Sequence, residues 1–273
     1  MGIEIIFWGV RGSIPTPGTK FSKYGGNTSC IELILGQKTI ILDMGTGIKS
    51  LGDSLVARNI NNFDILLTHF HYDHTCGLPF FKPAYDKAAH FSIRAANIKS
   101  RGKISDVLNK QMSSPSFPIN TNLFAANIDY IDFKLNKDFS IKNDIVIKTI
   151  ELNHPDGATG YRVEYEGKSV CYITDHEHVI NKNNKNLENF VKGTDILIYD
   201  STYTDSEFEK FIGWGHSTWE AGARLAEKAD VGNFCIFHHN PDNDDRAMDN
   251  INLEATKLNP KNIVSREGMK IKI

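Results

Sequence analysis

No stretch of this sequence reaches the roughly 18 consecutive apolar residues that a membrane-spanning helix needs. Charge of one sign is also missing. The 31 Lys and Arg are set against 33 Asp and Glu, a formal net charge of −2, so nothing global attracts the chain to nucleic acid. Cysteine is scarce. Cys30, Cys76, Cys171 and Cys235 are far apart and form no paired motif, which reads as reduced thiols in a cytoplasmic protein. The start, Met1 to Trp8, has neither a basic segment nor a small-residue cleavage site, and reads as a first strand rather than a signal peptide. No linker or composition break divides the 273 residues, and 40% of them are hydrophobic. A single domain over 1–273 with a large core is the expectation.

What the chain does have is histidine, ten in all. The segment Thr68-His69-Phe70-His71-Tyr72-Asp73-His74 places four potential metal ligands directly after the apolar run Ile65 to Leu67, which reads as a short buried strand. His69 and His71 are two residues apart, so an extended chain points both imidazoles the same way. Asp73 and His74 follow at a bend and diverge. One pair can serve one metal and the other pair a second. Imidazole and carboxylate donors suit zinc first, with manganese or iron as alternatives.

Strand-like runs cover Ile3 to Trp8, Ile31 to Leu35, Thr39 to Leu42, Ile145 to Ile150, Tyr161 to Tyr165, Ser169 to Thr174 and Ile196 to Tyr199. Helices are expected near Lys49 to Ala57, Ser105 to Met112 and Arg246 to Leu258. Ser217-Thr218-Trp219-Glu220 has the form of a capping box opening a helix through about Ala229. Closing strands are expected around Ile263 and from Met269 to Ile273. Residues 82–142 look least regular, and Asn181 to Asn186 reads as an exposed loop. Within the irregular part, Gln111 to Pro118 could be a lid or an oligomer contact. Periodicity gives a mixed α/β class. The two strand-rich blocks could be structural duplicates, although no sequence repeat is visible.

The order His-x-His-x-Asp-His after a strand resembles the metallo-β-lactamase superfamily. The resemblance implies an αββα four-layer sandwich and three further ligands: a His, a bridging Asp and a last His. Strand-like runs are followed by His154, Asp175 and His238, which match in turn. The implied set is His69, His71 and His154 on one metal and Asp73, His74 and His238 on the other, with Asp175 bridging. His239 is a lesser alternative to His238. Gly160-Tyr161-Arg162, the run from Asp195 to Asp200 and Gly215-His216-Ser217-Thr218 resemble the tRNase Z and cyclic phosphodiesterase branch. Gly9 to Pro17 and Tyr24 to Ser29 resemble its phosphoribosyl-cyclic-phosphate-like members.

That branch implies a hydroxide activated by two divalent ions, zinc first, attacking a small cyclic phosphodiester such as a cyclic nucleotide or cyclic sugar phosphate. Asp73, Asp200 and His216 are the candidate catalytic residues, with His216 as general acid and Asp200 orienting it. The resemblance also implies a homodimer. Alternatives are tRNA 3′-end processing, which should bring a basic arm that is not visible, and a glyoxalase II-like thioester hydrolase. An oxygen-reducing di-iron protein is disfavoured because His71 stands where such proteins place Glu. One departure stands out. Asp175 is followed by His176-Glu177-His178 where the branch usually has Thr, and both histidines read as solvated loop residues. His90 reads as structural. Arg11, Ser13, Asn27, Thr28 and Ser29 could bind phosphate or simply build turns.

Overall fold

A computed structural model describes residues 2–96, 98 and 102–273. Residues 99–101, part of the mildly basic stretch from Lys99 to Lys110, lie outside them. The strands are β1 (Ile3–Gly9), β2 (Cys30–Leu35), β3 (Lys38–Leu42), β4 (Asn62–Leu67), β5 (His90–Ala96), β6 (Asn127–Phe133), β7 (Phe139–Ile141), β8 (Ile145–Leu152), β9 (Ala158–Tyr165), β10 (Lys168–Ile173), β11 (Ile196–Asp200), β12 (Asn233–Phe237), β13 (Asn262–Val264) and β14 (Lys270–Lys272). One sheet has the order β14-β1-β2-β3-β4-β5-β6 and the other β13-β12-β11-β10-β9-β8-β7. In the first, neighbours are antiparallel from β14 to β3 and parallel from β3 to β6. In the second they are antiparallel from β7 to β10 and parallel from β10 to β13.

The helices are α1 (Ile48–Ala57), α2 (Tyr72–Thr75), α3 (Ile104–Gln111), α4 (Lys185–Val191), α5 (Trp219–Lys228) and α6 (Asp245–Leu258). Ile5, Phe7, Leu33 and Leu66 from one sheet meet Ile147, Val163, Tyr172 and Phe237 from the other in a shared apolar layer. Helices α1 and α3 cover the first sheet's outer face through Leu51, Leu55 and Leu108. Helices α4, α5 and α6 cover the second through Leu187, Ala223 and Met248. This is the four-layer αββα sandwich. Ile65, Leu66 and Leu67 are all fully buried because β4 is covered on both faces, which is why its last three residues read as an unbroken apolar run.

Three expectations are corrected. Residues 82–142 are not merely irregular. They supply β5 and β6, which complete the parallel half of the first sheet, and β7, the edge of the second. The cap of α5 is Thr218 rather than Ser217: Thr218 Oγ1 accepts from Ala221 N–H (3.0 Å), and the Glu220 carboxylate accepts from Asp205 N–H (3.1 Å) instead. Within the Asn-rich loop, Asn184 caps α4, its side-chain oxygen accepting from Leu187 N–H.

Arg11 is fully buried and ties two loops together. Its Nε donates to Gly25 O (2.8 Å) and its Nη1 to Asn240 O (3.1 Å) and Asn243 O (2.6 Å). Arg11→Ala would orphan these carbonyls and leave a void, so it should cost about 3 kcal/mol or more, read as a lower urea midpoint at unchanged m-value.

Candidate active site

The site lies where strands of both sheets end. At the end of β4, Thr68 N–H donates to Asp43 Oδ1 (2.8 Å), just past β3. The same buried Asp43 carboxylate receives Tyr172 Oη–H (2.9 Å) and faces His74 Nδ1 (2.8 Å). Asp43 is a site residue that the sequence reading did not single out. Its local signal is no more than an acid directly after the apolar triplet Ile40 to Leu42.

The histidines converge on Asp175, just past β10. Its Oδ1 lies 3.7 Å from both His69 Nε2 and His154 Nε2. Its Oδ2 lies 3.0 Å from His74 Nε2 and 3.3 Å from His238 Nε2. Asp73 Oδ2 is 3.4 Å from His74 Nε2 and 3.3 Å from His238 Nε2. His71 Nδ1 is 3.0 Å from His154 Nε2. The structure thus gathers His69, His71 and His154 in one group and Asp73, His74, Asp175 and His238 in another, with Asp175 presenting one oxygen to each.

The far side of four of these imidazoles is held. His69 Nδ1 meets Thr68 Oγ1 (3.0 Å), His74 Nδ1 meets Asp43, His154 Nδ1 donates to Gly215 O (2.8 Å) and His238 Nδ1 meets Thr202 Oγ1 (3.1 Å). Each outer partner turns Nε2 inward, the arrangement by which an outer shell orients metal ligands. Close backbone approach helps. A Cβ on Gly12 would lie 2.3 Å from the His238 ring, and one on Gly215, at φ 86°, would lie 2.3 Å from His154 Nδ1.

His216 Nδ1 sits 2.9 Å from Asp200 Oδ2 and 3.8 Å from Asp175 Oδ1. Burial pulls the His216 pKa down, but the Asp200 charge and hydrogen bond raise it to about 9. Burial opposes ionisation of Asp175, yet His238, His74 and His69 hold it well below the usual carboxylate range. Asp73 is likewise lowered despite burial, chiefly by His74. Burial lowers the pKa values of His69, His71 and His154 and so favours the neutral form that a metal ligand needs, whereas at His74 the charges of Asp175, Asp73 and Asp43 outweigh burial and raise it.

Other expectations change. His239 turns away, its Nε2 on Ser265 O (2.7 Å), with burial lowering its pKa to about 3. His176 is not solvated. It is buried, and its Nδ1 accepts from Asn153 N–H (3.2 Å). His178 is half-buried, stacks on Phe208 with centroids 4.1 Å apart and contacts Ser217 Oγ (2.8 Å). Arg11, Asn27 and Thr28 build turns, Asn27 through Glu267 and Thr28 through Thr46. Ser13 does reach the site: its N–H donates to Asp73 Oδ2 (2.7 Å). His90 pairs at the surface with Asp129 (2.9 Å). Gln111 Nε2 donates to Phe70 O (2.8 Å), anchoring the end of α3 beside the histidine motif.

The family described as "Beta-lactamase superfamily domain" matches residues 40–239. The chain belongs to the beta-lactamase superfamily. Within the superfamily it is similar to Ribonuclease Z of Clostridium tetani (strain Massachusetts / E88), 24% identical over 291 residues that cover 88% of this chain and 89% of that one. Ribonuclease Z proteins of seven further bacteria and archaea match at 21–26% identity. Among solved structures, the metallo-beta-lactamase fold protein YhfI of Bacillus subtilis matches with a TM-score of 0.76 at 15% identity, covering 99% of each chain. A diphosphatase of the PhnP family matches with a TM-score of 0.71 at 16% identity, covering 99% of this chain and 98% of that one. At such identities the structures establish the fold alone. Beta-lactamase superfamily members of this kind are metal-dependent hydrolases, and the superfamily implies divalent ions. The donor set fits them. His69 Nε2, His74 Nε2 and His238 Nε2 are buried without a hydrogen-bond partner and face carboxylate oxygens in a pocket of N and O donors.

Proposed function

We propose that this superfamily member is a two-metal phosphodiesterase. The observation that carries this reading is the Asp200–His216 pair placed beside the split carboxylate of Asp175. Two ions, zinc first, would be held by His69, His71 and His154 and by Asp73, His74 and His238, with Asp175 between them. When bound there, the ions would acidify a shared water toward a pKa of about 7 and neutralise phosphate charge. Asp175 supplies the negative charge that both ligand groups share. Thr68, Asp43, Gly215 and Thr202 keep the imidazoles aimed. His216, protonated near neutral pH, gives its proton to the departing alkoxide, and Asp200 fixes the ring. We read residues 1–273 as one hydrolase domain, because both sheets share one apolar layer.

Two substrate classes fit this chemistry. The small cyclic phosphodiester expected from the sequence is supported only by the fold of the PhnP-family diphosphatase. The 3′ end of precursor tRNA is supported further, since Ribonuclease Z relatives span nearly the whole chain. The test is a purified, zinc-loaded panel of precursor tRNA with a 3′ trailer, cyclic nucleotides, a cyclic sugar phosphate and a glutathione thioester, each with a chelator control. Chelator-sensitive cleavage of either phosphodiester class supports the reading and selects the substrate. Turnover of the thioester alone overturns it.

The pKa of His216 gives a further expectation. Because it is raised, the acid form persists through neutral pH and is lost as pH rises through about 9. Asp200→Asn removes the supporting charge, so the alkaline limb of kcat should move to lower pH by roughly one unit or more. A pH–rate profile of the variant that keeps the wild-type limb would separate that limb from His216.

A further inference from the structure

The residues after Asp175 are where this chain departs from the enzymes it resembles, and there the structure builds a brace. Glu177 N–H donates to Asn153 O (2.8 Å), and Asn153 Nδ2 donates to Glu177 O (2.8 Å). The backbone beside Asp175 is thereby zipped to the backbone beside His154. The Glu177 side chain leaves in another direction. Its Oε2 accepts from both Gly213 N–H (2.7 Å) and Gly215 N–H (2.9 Å). Both glycines have positive φ, 92° and 86°. On this turn Ile212 and Trp214 are exposed, although Trp214 packs edge-on to Phe211 and Gly215 is buried. Yet Gly215 O is the acceptor for His154 Nδ1 (2.8 Å), and the next residue is His216. One carboxylate oxygen therefore fixes a turn that aims a proposed metal ligand on one side and carries the proposed acid on the other.

We propose that Glu177 is a positioning residue that sets His154 and His216 together, and so tunes the ion held by the His69, His71 and His154 group. The roles of these histidines rest on the reading above, but the test separates the two. Wild type, Glu177→Ala and Glu177→Gln are compared by competition for zinc against a chromophoric chelator, below the melting temperature, with the folded fraction checked by circular dichroism. Glu177→Ala should bind one of two ions ~10–100-fold more weakly and leave the other unchanged, the size expected when an outer-shell partner is lost. Its kcat should fall while KM holds. Glu177→Gln keeps an oxygen that can accept both N–H groups, and should restore zinc affinity to about threefold of wild type or better. Zinc binding in Glu177→Ala equal to wild type overturns the proposal, as does a Gln variant as impaired as the Ala variant. So does an activity loss that merely tracks unfolding. The zinc competition needs no substrate. If wild type cleaves no phosphodiester, the functional reading falls while Glu177 is still judged on its own data.

Discussion

Asp175→Ala should abolish hydrolysis, lowering kcat/KM by about 10³ or more, and should leave a folded protein. The cause is concentration of charge. Asp175 is buried, and within 3.8 Å of its two oxygens stand nitrogens of His69, His154, His74, His238 and His216. Asp175 thus faces both halves of the centre, one oxygen to each. Without it, the two ligand groups lose the anion they share. His74, whose pKa is raised against burial first of all by Asp175, would lose that support. Asp175→Asn keeps the volume but turns an amide N–H₂ toward imidazole nitrogens, so it should fare no better. Stability measured with chelator present should fall, because His238, His74 and His69 hold Asp175 ionised in the folded state, and because Ala adopts φ 55° less readily than Asp does. Steady-state kinetics, metal analysis and denaturation in chelator test these points together. A variant that keeps its metal and stays within tenfold of wild-type activity would end the bridging assignment.

His216→Ala should lower kcat by about 10²–10⁴ for substrates with poor leaving groups, such as a ribose hydroxyl. The loss should be far smaller for a nitrophenyl diester, because a nitrophenolate departs without needing a proton. The geometry demands this contrast. His216 is held by Asp200 at 2.9 Å in the proton-bearing form, and stands at the rim of the centre rather than in either proposed ligand group of His69 or His74. A series of diesters with graded leaving-group acidity provides the measurement. In the variant, rate should depend more steeply on leaving-group pKa. A uniform loss across the series would show that His216 orients substrate and does not donate the proton.

Much of this centre was legible because its densest part is short-range in sequence. His69, His71, Asp73 and His74 announce themselves within one strand end, and His154, Asp175 and His238 each follow a strand-like run. Asp43 was not legible. Its role arises only when β3 and β4 pair in parallel with Leu42 opposite Leu66, which sets Asp43 beside Thr68. His176 was misread for a related reason. A polar residue after a strand looks solvated, and nothing local shows that the loop folds back onto Asn153. Strand β6 was missed because its acids, Asp129 and Asp132, are three apart and break the two-residue period on a half-exposed sheet edge, a weaker signal than the apolar run Ile65 to Leu67 in β4. The shift of the α5 cap from Ser217 to Thr218 reflects two adjacent hydroxyls of equal competence, decided by Ser217 being taken up by Tyr199 and His178.

The strand orders of the two sheets have a consequence for ancestry. Adding seven to each strand number carries β1 through β6 onto β8 through β13 with the same pairing directions, and the edge strands β7 and β14 exchange places. Each half of the chain therefore lends its final strand to the sheet built by the other half. Such reciprocal lending is the topology that head-to-tail fusion of two half-length copies, each swapping its terminal strand, would produce. Asp43 and Asp175 then hold related places, both at positive φ, one residue past β3 and two residues past its counterpart β10. Asp175 faces the centre from its middle, and Asp43 stands behind it and holds a histidine in place.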